Sequence, residues 1–414
     1  MKKIVGTIAA VAVAAGVAFA DVGIGSWGRA IFSPVGTLDG GKTFVSNETI
    51  SWMGGKGTSR MGFSVHGESE NVGFNVDLKA DGYSVLGIND TAFFWAKPWE
   101  FLEVKIGKVQ DDTGRGNLCY GMFNWWRMGF GFTGEDLTFT RFGNGGGGQA
   151  NGAIVKITPI EGLWIIGAFN LNDTVSNTVE ATKVFGNQSQ YGVGYNINGV
   201  GSVRAQYIAR ANGTDIKGNT IGNSCAEVAF DLTAVDGLYV TVGAQIPFAF
   251  GAINTDAESG YYGAPANEIK IAAGADFKLA AVTLHAIVDV RLPNTVTDSY
   301  VIPIINKSVE TKYTRGGRIG VGVGADVDFG NAIGLVADIR FQSAQDKVYE
   351  ATAAGTTTTT TKVAADSSLS FLVGLSKGLT NGSIGVGFEG EIQKITTSDS
   401  QFNWAIPVVI SASF

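Results

Sequence analysis

The segment Phe402 to Phe414, FNWAIPVVISASF, puts Phe402, Trp404, Ile406, Val408, Ile410, Ala412 and Phe414 on every second position, with Asn403, Ser411 and Ser413 among the residues between. A strand sends alternate side chains to opposite faces, so this period of two predicts a strand with one unbroken apolar face. The pattern recurs along the chain. Met61, Phe63 and Val65 alternate with Arg60, Ser64 and His66; Val72, Phe74, Val76 and Leu78 alternate with Asn75, Asp77 and Lys79. Hydrophobic residues make up 45% of the sequence, yet they are spread by alternation. After the first twenty residues no stretch reaches the ~18 uninterrupted apolar residues that a spanning helix requires. With 59 glycines and 16% charged residues, long helices are disfavoured.

The N-terminus has a different composition. Lys2 and Lys3 precede an apolar run from Ile4 through Val17, and Ala18-Phe19-Ala20 follows. A positive start, a short apolar middle and an Ala-x-Ala end predict a secretory signal over residues 1–20, with cleavage before Asp21. The mature chain, 21–414, is expected outside the cytoplasm. Removing Lys2 and Lys3 from the 30 basic residues leaves 28 against 37 acidic ones, a formal charge of −9. That balance offers no basic patch for nucleic acid. Two cysteines, Cys119 and Cys225, are too few for a disulfide framework or a zinc site and could at most form one bridge.

Alternating pairs of strands joined by tight links set the rhythm of the chain. Tyr191 to Ile197 meets Val203 to Tyr207 across Asn198-Gly199, and Ile269 to Leu279 meets Val282 to Val290 across Ala280-Ala281. Between such pairs lie long polar stretches: Asn172 to Ser189, Asn212 to Asn223, Gly251 to Asn267, Asn294 to Gly316 and Ser343 to Ser367, the last holding the run Thr356 to Thr361. Short links on one side and long loops on the other are how an outer-membrane barrel is built, with the short turns facing the periplasm. The expected fold is all-β: one transmembrane antiparallel β-barrel of about 18 strands, with 16 and 20 as the alternatives. A barrel of that size leaves an aqueous lumen.

Three stretches resemble a known family. A chain ending on Phe414 behind an alternating strand looks like the sorting signal of outer-membrane β-barrel proteins. AFFWAKPWEFLEVKIGK, residues 92–108, resembles a hairpin of bacterial porins, including those of spirochaetes. Its aromatics, Phe93, Phe94, Trp95, Trp99 and Phe101, fit an interfacial girdle. After the fifth strand, Asp111 to Asn151 breaks the alternation, and general porins place there a long loop that folds into the lumen and narrows it. The resemblance implies passive diffusion of small hydrophilic solutes without a cofactor. It also implies an outer-membrane lipid environment, contact with the barrel-assembly machinery through Phe414, and a homotrimer.

The parity opposite the apolar stripe is ionised, with Arg204, Asp289, Arg291 and Arg340 among its residues. Charges on a lipid face are costly, so segregation marks the lumen, and these four are candidate pore-lining residues. In the irregular segment, Asp111, Asp112, Arg115, Arg127, Glu135, Asp136 and Arg141 are the further candidates. Opposed charges there would set a transverse field across a constriction over residues 111–151.

Catalytic patterns are weak. His66 and His285 are the only histidines, both on the wet parity beside strand acids. Gly320-x-Gly322-x-Gly324 precedes no helix that could receive a pyrophosphate, so crowded strand glycines explain it. A surface adhesin or structural outer-membrane protein displaying the long loops, without conductance, is the competing reading.

Overall fold

A computed structural model describes residues 21–38, 41–46, 59–81, 86–115, 142–143, 151–170, 189–209, 211–214, 220–250, 254–256, 261–263, 269–302, 307–353, 356–395 and 398–414. Each hairpin expected from alternation is present. Eighteen strands form the ring. They are β1 (Asp21–Leu38), β2 (Arg60–Glu68), β3 (Val72–Asp81), β4 (Gly87–Trp99), β5 (Leu102–Lys108), β6 (Asn151–Ile160), β7 (Leu163–Asn170), β8 (Ser189–Ile197) and β9 (Gly201–Ile208). The other half comprises β10 (Thr220–Leu232), β11 (Leu238–Phe250), β12 (Lys270–Leu279), β13 (Val282–Arg291), β14 (Arg318–Gly330), β15 (Ile333–Gln342), β16 (Ser368–Leu379), β17 (Gly382–Gln393) and β18. The last runs as Gln401–Ala405 and Val408–Ser413 on either side of Ile406 and Pro407.

All neighbours pair antiparallel, and β1 closes the ring. On one side it meets β2, from Asp21↔Glu68 to Arg29↔Arg60; on the other it meets β18, from Trp27↔Ser413 to Phe32↔Val408 and again at Gly36↔Ala405. Closure leaves no strand edge in the ring, which a barrel in lipid requires because hydrocarbon offers no partner to a bare N–H or C=O. Pro407, which cannot donate, occupies the break in β18, where its carbonyl accepts from Gly387 N at 3.0 Å and Ile406 N donates to Val35 O at 3.1 Å.

Direct cross-strand partners lie on the same side of a sheet, so register carries one face around the whole ring. Asp276↔His285, His285↔Gly324, Gly324↔Asp338 and Asp338↔Leu372 show how it passes from β12 to β16. This face holds the buried charged residues Arg204, Glu227, Asp231, Asp289, Arg340 and Glu389. The opposite face carries exposed apolar ones, including Ile24, Phe94, Ile106, Val228, Val323 and Ile410. The charged face is therefore the inner one and the apolar face the outer. Val323, paired with Ala286 and Ile339, tests this assignment. Val323→Arg is expected to destabilise the folded barrel by about 2–4 kcal/mol if that position lies near a bilayer midplane, measured by urea unfolding in vesicles.

All eight links at one end are short: 69–71, 100–101, 161–162, 198–200, 233–237, 280–281, 331–332 and 380–381. Two of the tightest demand left-handed backbone, with φ of +50° at Ala280 and +50° at Asn331.

Two sequence expectations change. Most of Asn294 to Gly316 and Ser343 to Ser367 is strand rather than loop. Asn294–Ile302, Lys307–Arg315, Gln345–Ala353 and Thr356–Ala365 form a four-stranded antiparallel sheet in that order, continuing β13, β14, β15 and β16 beyond the ring. Threonine favours strands, but a strand polar on both faces shows no alternation, so the pattern could not announce it. The aromatic group around Lys97-Pro98 also divides. Phe94, Trp99 and Phe101 are exposed on the outer side, whereas Phe93 and Trp95 share the inner register with Lys105 and Gly107. Lys97 Nζ lies 5.1 Å from the Trp95 ring and Lys105 Nζ 5.7 Å from Phe93, so these two rings serve the wall.

Candidate pore lining

On β9 to β11 the inner face is a set of hydrogen-bonded pairs. Arg204 meets Asp231 through both guanidinium ends, NH2 donating to Oδ1 at 3.1 Å, and Thr241 Oγ1 donates to the same Oδ1 at 2.7 Å. Glu227 accepts from Gln206 and, at 2.7 Å, from Gln245. Direct register makes these contacts: Gln206↔Glu227 and Glu227↔Gln245 stand in one row, and Asp231↔Thr241 in another.

Further round, β12 to β14 set Lys270, Arg291 and Arg318 side by side in one row. Like charges directly opposite repel, and Asp289 offsets them. Its Oδ2 is 3.5 Å from both Arg291 Nε and Arg318 NH2. Gly320 makes room for it, because a Cβ there would fall 2.1 Å from Asp289 Oδ1. Arg340 is buried on β15, its register partner being Gly322. On β17, Glu389 and Glu391 are buried acids beside Asn403 of β18. All four wall candidates, Arg204, Asp289, Arg291 and Arg340, thus share the inner face.

Two described pieces of the segment after β5, around Asp111 and at Phe142 and Gly143, lie against that face. Beyond the last residue of β5, Asp111 and Phe142 form an isolated antiparallel bridge with backbone bonds of 3.0 and 3.1 Å. The Phe142 ring is fully buried and packs edge-on to Trp164, with centroids 6.1 Å apart. It fills the space left by Gly192, where a Cβ would come within 2.3 Å of the ring. Gly143 N donates to Gln190 Oε1 at 2.7 Å. Val109, Ile154, Ile166 and Ala168 complete the apolar cluster, with Phe93 against it.

Polar contacts tie the other arm. Lys105 Nζ donates to Asp111 Oδ2 at 2.7 Å, Thr113 N donates to Asp111 Oδ1 at 2.8 Å, and Lys156 Nζ donates to Thr113 Oγ1 at 2.8 Å. Burial pushes the Asp111 carboxyl up, but the Lys105 charge and the hydrogen bonds from Lys105 and Thr113 outweigh it and hold it below its ordinary value.

Of the loop candidates, Asp111 is part of this tether, Asp112 is exposed, and Arg115 ends the short 3-10 turn Thr113–Arg115. Arg127, Glu135, Asp136 and Arg141 lie outside the described residues, as does Cys119, so its pairing with the buried Cys225 is not placed. Sequence reasoning missed the apolar seat. Its signal was nonetheless present, because LWIIGAF, residues 163–169, is apolar on both parities, the mark of a strand covered on both sides. Among the described residues no group of three His, Cys, Asp or Glu side chains could hold a metal ion.

No family model and no curated protein matches the chain. Among solved structures, OccK2 (OpdF) of Pseudomonas aeruginosa, in complex with glucuronate, superposes with a TM-score of 0.52 at 12% identity, covering 96% of this chain and 98% of that one. OmpF of Salmonella typhi, in complex with daunomycin, and the anion-selective porin of Comamonas acidovorans each give 0.46 at 11% identity. They cover 95% of this chain, and 97% and 100% of their own. The chain has the fold of bacterial outer-membrane porins.

Proposed function

We propose that this chain is an outer-membrane porin through which small hydrophilic solutes and ions diffuse passively. The observation that carries the reading is a closed ring of eighteen strands with charged residues on its inner face and apolar residues on its outer face. A ring of this size is too wide for side chains to fill, so the inner charges border water. Arg204, Asp289, Arg291 and Arg340 belong to that border.

The segment 111–151 is the constriction in this reading. Support comes from Asp111, Phe142 and Gly143, which pack against the inner faces of β5 to β8. Asp112, Arg115, Arg127, Glu135, Asp136 and Arg141 then supply opposed charges across the narrowed lumen, and a transverse field orders water against apolar solutes. Cleavage before Asp21 would leave the whole of β1 in the mature chain, and mass spectrometry of the purified protein should give Asp21 as its first residue. The resemblance further implies recognition of Phe414 by the barrel-assembly machinery and assembly into trimers.

Single-channel recording of the refolded mature protein in a planar bilayer tests the function. Stable stepwise currents are expected, with a step size changed by Asp112→Asn or Arg115→Gln. A folded barrel that gives no steps would overturn the porin reading in favour of a surface protein with a blocked interior.

A further inference from the structure

β12, β13 and β14 bring one histidine between two aspartates on the inner face. His285 Nδ1 lies 2.7 Å from Asp276 Oδ1 of β12, and its Nε2 lies 3.1 Å from Asp326 Oδ2 of β14. Register explains the meeting: Asp276 is the direct partner of His285, and Thr283, two residues before it on β13, is the partner of Asp326. On the β14 side the direct partner of His285 is Gly324, which has no side chain to separate the ring from Asp326.

A neutral imidazole carries one N–H and one lone pair. With a carboxylate oxygen facing each nitrogen, a neutral ring would set its lone pair against a negative oxygen. Both contacts are favourable only when both nitrogens bear protons. The trio then carries a charge of −1, and it becomes −2 when one proton leaves. Histidine is the side chain that makes such a change near neutral pH.

The imidazole itself is buried, but the side chains of Asp276 and Asp326 are 22% and 38% exposed, so the charge borders the interior of the ring. Other charged or titratable groups face it: Tyr239 of β11 in register with Asp276, Lys278 of β12, Asp289 of β13, Asp328 of β14, and Asp338 of β15 across Gly324. Arg340 of β15 stands one inner-face row further on, and Asp289 is taken up by Arg291 and Arg318, so the wall beside the trio carries both signs and the trio's own step from −1 to −2 makes the change. An ion passing within a Debye length, about 8 Å at physiological salt, senses the change.

We infer that His285 is a proton-dependent selectivity residue of the pore, held by Asp276 and Asp326, which makes the channel more cation-preferring as pH rises. The inference rests on the reading of the ring as a conducting channel. Its test has two arms, and the second does not depend on conductance.

In the first arm, reversal potential is measured under a dilute salt gradient from about pH 5 to about pH 10, spanning histidine titration. The wild-type potential is expected to shift toward the cation side as pH rises. His285→Gln should lose that shift while keeping single-channel steps, and His66→Gln should retain it. An equal shift in His285→Gln overturns the inference. In the second arm, the His66→Gln protein keeps one of the chain's two histidines, so nitrogen NMR of the refolded barrel reports His285 alone. Signals from two protonated ring nitrogens at the acid end, converting to one as pH rises, support the site. A neutral ring throughout overturns it. No currents from a protein that gives the expected NMR titration would sink the channel reading and leave the proton site standing.

Discussion

Phe142→Ala is expected to give a channel with larger and noisier single-channel steps than the parent, with the barrel still folded. Phe142 is wholly buried between Trp164 and Gly192, and it holds the returning arm of the 111–151 segment against the wall. Truncating a buried phenylalanine costs about 3–5 kcal/mol when the site cannot collapse. Most of that loss falls on a local contact rather than on the ring, whose strands keep their ladder. The arm then retains Gly143 N to Gln190 and the Asp111 bridge, so partial release and flicker are expected before full opening. Adding Lys105→Met removes the salt bridge at the other arm and should move the channel further toward the open, wider state. Gly192→Val attacks the same contact from the wall, since the new side chain would occupy the place of the Phe142 ring. Conductance unchanged in all three folded variants would show that the segment does not narrow the lumen.

Breaking the Arg204–Asp231 pair is the second large effect. Both residues are buried on the inner wall, and Arg204→Met leaves Asp231 without its cation. Removing one partner of a buried pair costs about 3–5 kcal/mol, because the remaining charge stays out of water without compensation. Thr241 and Ser202 still donate to Asp231, which places the expected loss toward the lower end. The double variant Arg204→Met with Asp231→Leu should recover most of it, as apolar replacements of a buried pair are often neutral or stabilising. Urea unfolding in vesicles would show the single variant at a clearly lower midpoint than the double. Equal midpoints would mean that water reaches Asp231 freely and that this part of the wall is wetter than its burial implies.

The sequence by itself determined the alternating strands of the ring and their faces, and it bounded their number at about 18, with 16 and 20 as the alternatives. Met61, Phe63 and Val65 against Arg60 and Ser64, or Val228 and Phe230 against Glu227 and Asp231, identify the two sides of a wall without any structure. The physical reason is local: side-chain direction reverses at each residue of a strand, and a charge on an apolar face is expensive, so the pattern is written into every segment separately. Tight links such as Asn198-Gly199 are equally local. Counting such segments left 16, 18 and 20 open, all even because an even number of antiparallel strands closes a barrel with both ends on one side, and the structure selected eighteen.

The tertiary structure alone decided which distant residues meet. Phe142 finds Gly192 and Trp164, His285 finds Asp276 and Asp326, and Asp289 stands between Arg291 and Arg318. Each meeting depends on the registers of neighbouring strands, and a shift of one residue would turn one partner to the other face. It also decided that LWIIGAF is covered from within, which its composition hinted at without naming the covering residues. The threonine run became a strand because its neighbour Gln345–Ala353 offers it a ladder, a fact held by the neighbour and not by the run itself.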